Sequence, residues 1–206
     1  MRAQLLPRLL LWLTRNRPCR LIHIDGQPYL ERHYMGRWFG RYVYLHRFVR
    51  DDHERAVHDH PWRRAGALVL TGHYTEERAI ITCRGVFRFR QQIRWFNRIE
   101  RGATYADTHR ITATRPETWT LFWHGAWVFP WGFYDLQRTA PPLSGAIDVT
   151  ASAGQTPSHL PLIPLYGPEY VGRYTEHKPR PTSEQDRWWW LFAPRARDIG
   201  REPLRR

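Results

Sequence analysis

The tripeptide His58-Asp59-His60, followed by Pro61-Trp62, constrains this chain more than any other stretch. Side chains at i and i+2 share a face only on a β-strand. One strand can then aim both imidazoles at a single point, and neutral imidazole is the commonest metal-binding side chain. His109 offers a third ring from further along the chain. The pattern predicts strands curled around a metal, with Asp59 turned away from it.

The remaining sequence agrees with a β-fold. Eleven Trp, ten Tyr and nine Phe suit strands and ligand pockets. Sixteen Pro and fourteen Gly predict many turns and few long helices. Strand signals recur over 21–24, 29–34, 41–49, 65–70, 79–83, 86–93, 109–114 and 119–123, with a last one over 127–134. Turn chemistry at Asp25-Gly26, Thr71-Gly72 and Arg84-Gly85 separates them, and 35–40 reads as a connection. The 206 residues therefore divide into an N-terminal helical segment (1–20), a β-barrel domain (21–138) and a Pro-rich extension (139–206). Residues 139–187 show no clean period and read as an irregular wrap. Trp188-Trp189-Trp190-Leu191-Phe192 is too apolar for water and should dock on the barrel or on a second copy, which leaves a homodimer open.

The formal charge of +13 favours polyanions: nucleic acid, an anionic membrane or a phosphorylated substrate. The positive residues are scattered arginines, with Lys178 the only lysine, and no basic block of a dedicated nucleic-acid reader appears. Cys19 and Cys83 form neither a CxxC nor a disulfide framework, which fits a reduced cytoplasm. Pro7 and Arg8 interrupt the apolar start, which is too short to span a bilayer and lacks a cleavage site after it. A short helix packed on the barrel is the default reading, and a membrane-surface anchor the lesser one. No Gly-rich phosphate loop, nucleophile elbow or catalytic carboxylate pair occurs.

The His region resembles the cupin superfamily. The first cupin motif runs His-x-His, four residues, Glu, six residues, Gly; His58, His60 and Gly72 match it, while Ala65 stands at the Glu position. His109 matches the single ligand of the second motif, although Thr104, Ala106 and Ala113 depart from its Pro, Gly and Asn. Residues 44–48, 58–62, 119–122 and 131–133 also look like a group of small bacterial and phage cupin-like proteins that share the His-Asp-His-Pro-Trp string; that likeness covers roughly 28–135. The resemblance implies an all-β double-stranded β-helix, a jelly-roll barrel, with a short N-terminal helix and an irregular C-terminal extension. It also implies a divalent metal on His58, His60 and His109. Cupins that keep three His and lose the Glu are similar to thiol and diketone dioxygenases. A neutral three-His face leaves open positions where substrate and O₂ can bind Fe(II) side by side. Fe(II) is thus the favoured ion, and Zn(II), Ni(II), Mn(II) and Cu(II) also suit three imidazoles.

Other residues are candidates with bland alternatives beside them. His124 would be a cavity acid/base, a fourth ligand or a strand-end polar group. Tyr105 would be a phenol near the metal or a packed barrel side chain. His46 would approach the pocket or pack with Tyr44 and Phe48. Arg47, Arg88 and Arg90 would hold a substrate carboxylate or phosphate, or form a solvated strand face. His53, His73, His159 and His177 receive no role, and Cys83 reads as buried and inert. The first functional expectation is a metal-dependent cupin enzyme, a three-His Fe(II) oxygenase acting on a small, anionic or neutral substrate. The second is a sugar or sugar-nucleotide isomerase or epimerase that relies on His124 and Tyr105. The third is a non-catalytic, metal-stabilised binding module with a nucleic-acid or phage-related partner.

Overall fold

Alternating aromatic and β-branched residues, cut by tight turns, build strand after strand. The computed structural model describes residues 5–24, 26–51, 56–82, 85–102, 104–138, 169–178 and 183–201. Helix α1 (Leu5–Thr14) leads into β1 (Cys19–Ile24), β2 (Gln27–Trp38), β3 (Arg41–Phe48), β4 (Val57–His58), β5 (Arg64–Thr71) and β6 (Tyr74–Thr82). There follow β7 (Gly85–Ile93), β8 (Phe96–Glu100), β9 (Tyr105–Thr114), β10 (Thr118–His124), β11 (Trp131–Arg138) and β12 (Glu169–Lys178). Two single-turn helices, α2 (Glu184–Arg187) and α3 (Trp189–Phe192), and a short 3₁₀ turn (Ala196–Asp198) come last.

The strands form two antiparallel sheets. One has the order β1-β2-β3-β10-β5-β8, and the other closes on itself as β11-β12-β7-β6-β9-β4. This is the predicted all-β, cupin-like jelly roll. The central strand β3 of the first sheet is buried on both faces from Val43 to Phe48, which is why it carries polar residues among apolar ones without a simple alternation. Its inner face presents the cross-strand row Arg32–His46–Thr120 and, beside it, Tyr34–Tyr44–Phe122. Its outer face presents Glu31–Arg47–Trp119, which α1 covers through Leu10.

Helix α1 packs through a narrow stripe, Pro7, Leu10 and Thr14, while Leu5, Leu6, Leu9, Trp12 and Leu13 stay exposed. No helix among the described residues is long and apolar enough to cross a membrane.

The extension is more regular than its sequence indicates. Strand β12 pairs with β11 along its length. Residues 173–176 are all exposed, so no apolar period marks that strand. The aromatic run docks on the barrel. Trp189 is buried and parallel to Tyr44, and Trp190 stacks on Tyr34 at 4.3 Å. Backbone bonds from Cys19 to Pro194 and from Ala196 to Arg17 tie this segment to β1. Burial pushes the Cys19 thiol up to about 12, so it is an inert packing group. The readings made on Asp25, His53, Cys83, Arg84, His159 and 139–168, and on the side chain of His177, lie outside the described residues.

Gly72 shows why a glycine stands at the end of the first motif. Its φ is +68°, and a Cβ there would lie 2.4 Å from Thr118 Oγ1 and 3.0 Å from Thr118 Cα. Both backbone conformation and space exclude a side chain. Gly72→Ala should lower stability by about 1–3 kcal/mol, read as a lower urea midpoint at unchanged m-value.

Candidate metal centre

Strand β4 is only two residues long, yet it sets the site. His58 faces His109 of β9 across one edge and Phe133 of β11 across the other. His60 lies just past β4, and the chain stays extended enough to bring its ring back to the same side. Asp59 points the other way, as alternation requires. It accepts hydrogen bonds from the Gly132 N–H and the Tyr134 hydroxyl, each at 2.8 Å, and pairs with Arg101 at 2.6 Å. The residue between two candidate ligands thus clamps β4 to β11.

His58, His60 and His109 offer ring nitrogens that all lie within 4.8 Å of one another. The Nε2 atoms of His60 and His109 are 3.0 Å apart. Cis donors around a six-coordinate ion with bonds of about 2.1 Å sit about 3 Å apart, so this spacing fits two neighbouring ligands. Burial holds His60 well below its ordinary value, and the neighbouring His109 and His58 push the same way. The ring is neutral near pH 7, the form that binds metal.

Glu76 orients the third ligand. It is fully buried on β6, and its Oε2 accepts from His109 Nδ1 at 2.7 Å. A carboxylate only accepts, so His109 carries its proton on Nδ1 and turns the Nε2 lone pair to the centre. Gln91 donates to Oε1 at 2.6 Å and Asn97 to Oε2 at 2.8 Å. Burial pushes the Glu76 carboxyl up, but His109, Arg78 and Gln91 outweigh it and hold the group below its ordinary value. The donor set, the neutral His60 ring and the His109 tautomer set by Glu76 all fit a divalent ion. Sequence reasoning missed Glu76. The Glu76-Glu77 pair within a strand was the available signal, since alternation forces one of the two inward.

The three rings line a cavity of about 770 Å³ between the sheets. Trp62 stacks on His60 at 5.1 Å, and Trp131 and Phe133 present edges to His58. Trp189, Trp190 and Arg187 contribute part of the cavity wall from the extension.

The other candidates scatter. His124 lines the cavity but is no part of the three-His group; it stacks on Trp62 at 4.0 Å and donates from Nδ1 to Gly125 O at 2.7 Å. Burial brings it down to about 3, so it is neutral and a poor proton donor at pH 7. Tyr105 is 38% exposed at the start of β9, beside Gly102 and outside the cavity lining. The acid/base pair of the isomerase reading is therefore not assembled. His46 does line the cavity.

Arg47 is not at the cavity at all. It sits on the outer face of β3 at 1% exposure, bonded to both oxygens of Glu117 at 2.8 and 3.1 Å and to Glu31 at 2.8 Å. Arg88 pairs with Glu77, and Arg90 is exposed; neither lines the cavity. The three arginines expected to bind substrate therefore lie away from the cavity: Arg47 is buried on the covered outer face of β3, and Arg88 and Arg90 stand on β7 outside the lining.

No family model matches the chain, and no curated protein matches it. Among solved structures it is similar to a crystal structure of Fe(II)-HppE with the alternative substrate (S)-1-HPP, at 10% identity and a TM-score of 0.38 over 54% of this chain and 57% of that one. A second crystal structure, Fe(II) HppE in complex with its substrate, is similar at 9% identity and a TM-score of 0.37 with the same coverage. The chain spans a little over half the length of these neighbours.

Proposed function

We propose that this chain is a metal-dependent cupin enzyme, a three-His Fe(II) oxygenase of the dioxygenase type acting on a small organic substrate. One observation carries the reading: three imidazoles converge at the wall of a cavity between the sheets, and a buried carboxylate fixes one of them for coordination. His58, His60 and His109 would hold the ion. Fe(II), when bound, supplies the one-electron chemistry that O₂ activation needs. Glu76 holds the His109 tautomer. Trp62, Trp131 and Phe133 keep water from the rings, and neutral His124 and His46 line the remaining wall without adding charge. The reading keeps the chain with the small bacterial and phage cupin-like group that shares the His-Asp-His-Pro-Trp string.

Metal analysis of untagged protein, purified without oxygen, tests this. About one iron per chain is expected. His58→Ala and His109→Ala should lose it, whereas His73→Ala should not. Glu76→Gln should weaken affinity by about 10–100-fold, measured by competition with a chelator. Zinc in place of iron would sink the oxygenase, and equal metal in every variant would sink the ligand assignment. A tightly held ion with no O₂ uptake across a substrate panel would favour the binding-module reading.

A further inference from the structure

The cavity holds a cation that the metal site does not use. Arg32, on β2, lines the same cavity as His58, His60 and His109. Its partners differ from those of the other interior arginines. Arg47 faces Glu31 and Glu117, Arg78 faces Asp107, Arg101 faces Asp59, and Arg201 faces Glu31. Arg32 has no carboxylate partner among the described residues. Its Nε donates to His46 Nε2 at 3.2 Å, and its guanidinium lies over the Tyr44 ring at 5.7 Å. These contacts fix the plane of the group and occupy one edge.

A half-buried guanidinium without a counter-charge is costly, and folds rarely keep one without a use. Burial lowers Arg32 from its ordinary value, and Arg20 adds to that from nearby. Arg20 is better provided for, since Asp186 lies within its electrostatic reach and it sits on the Trp189 ring at 4.7 Å. The cross-strand row leaves the free end of Arg32, its two terminal nitrogens, for a planar or tetrahedral oxyanion. Around it the wall is apolar and aromatic: Ile22, Tyr29, Phe48, Tyr44 and Phe122.

We propose that Arg32 seats an oxyanion group, carboxylate or phosphoryl, of an organic substrate whose apolar body fills the cavity toward the three histidines. The substrate role rests on the enzyme reading above; the anion seat stands on Arg32 alone.

The test is calorimetric binding to chelator-treated, metal-free protein at 150 mM salt. The probes are phenylacetate, phenylphosphonate and the uncharged 2-phenylethanol. The wild type should bind at least one anion tenfold or more tightly than the alcohol, with one site per chain. Phenylacetate ahead of phenylphosphonate would assign a carboxylate, and the reverse order a phosphoryl group. Arg32→Met should remove the preference for the anion and leave alcohol binding within twofold. Arg32→Lys keeps the charge without the fork and should retain part of the preference. Arg94→Met, which removes an exposed surface charge, should retain all of it. An anion preference that survives in Arg32→Met, or one lost equally in Arg94→Met, would overturn the proposal, as would no preference in the wild type. Metal content, measured separately, keeps the two readings apart. A wild type that takes no iron but shows the Arg32-dependent preference would sink the oxygenase and keep the seat. A wild type that takes iron without the preference would do the opposite.

Discussion

Arg47→Met should cost the fold about 3–5 kcal/mol, the largest loss expected of any single change outside the cavity. Arg47 lies between two carboxylates that are themselves out of water, Glu31 at 0% and Glu117 at 6% exposure. Removing the guanidinium takes both of its bonds from Glu117 and leaves Glu31 to His33 and Arg201. Burial pushes the Glu31 carboxyl up, but His33, Arg201 and Arg47 outweigh it and keep it ionised. The pair also holds a strained turn. Glu117 has φ +57°, a left-handed conformation that a non-glycine residue adopts only when its surroundings impose it. The network reaches the extension as well, since Arg201 donates to Glu31 at 2.9 Å and to Leu11 O at 3.1 Å. The variant should therefore unfold at a much lower urea concentration, while any protein that remains folded takes up added metal as the wild type does. A midpoint within 0.5 kcal/mol of the wild type would show that this network contributes little.

Acid should weaken the metal-free protein well above the carboxylate range. His124 is held neutral down to about 3, whereas an imidazole in the unfolded chain titrates near about 6.5. Between these values the unfolded state binds a proton that the native state refuses. Stability is complete above about pH 6.5 and falls as pH drops. From pH 7.5 to 5.0 the loss from His124 is about 2 kcal/mol. His46 adds in the same direction, since burial and the Arg32 charge hold it well below its ordinary value. Urea midpoints at the two pH values test this. His124→Asn, which can keep the bond to Gly125 O, should remove the His124 share. An unchanged acid loss in that variant would refute the assignment.

The sequence was readable where one local rule decides the outcome. Alternation alone predicted that His58 and His60 converge and that Asp59 diverges, and turn chemistry placed the β1–β2 hairpin around Gly26 and the turn at 71–72, where the chain passes from one sheet to the other. It was unreadable where the answer depends on what covers a face. Glu31, Arg32 and His33 are consecutive in β2. Two of them join a buried ionic network under α1, and the middle one enters the cavity. Alternation puts Arg32 on the face opposite Glu31 and His33, but nothing local says which face meets the cavity. For the same reason the sequence offered Arg47, Arg88 and Arg90 as substrate-binding candidates and did not single out Arg32, which lines the cavity. Strand β12 escaped notice for the opposite reason, since exposed residues leave no apolar period to find.

The stacking of Trp62 on His60, with Trp131 beside His58, gives the site its own optical label. Two of the eleven indoles touch candidate ligand rings. A paramagnetic ion seated among those rings would quench their emission, whereas zinc would leave it bright. Fluorescence titration of the unlabelled protein can thus separate occupancy from ion identity in a single cuvette.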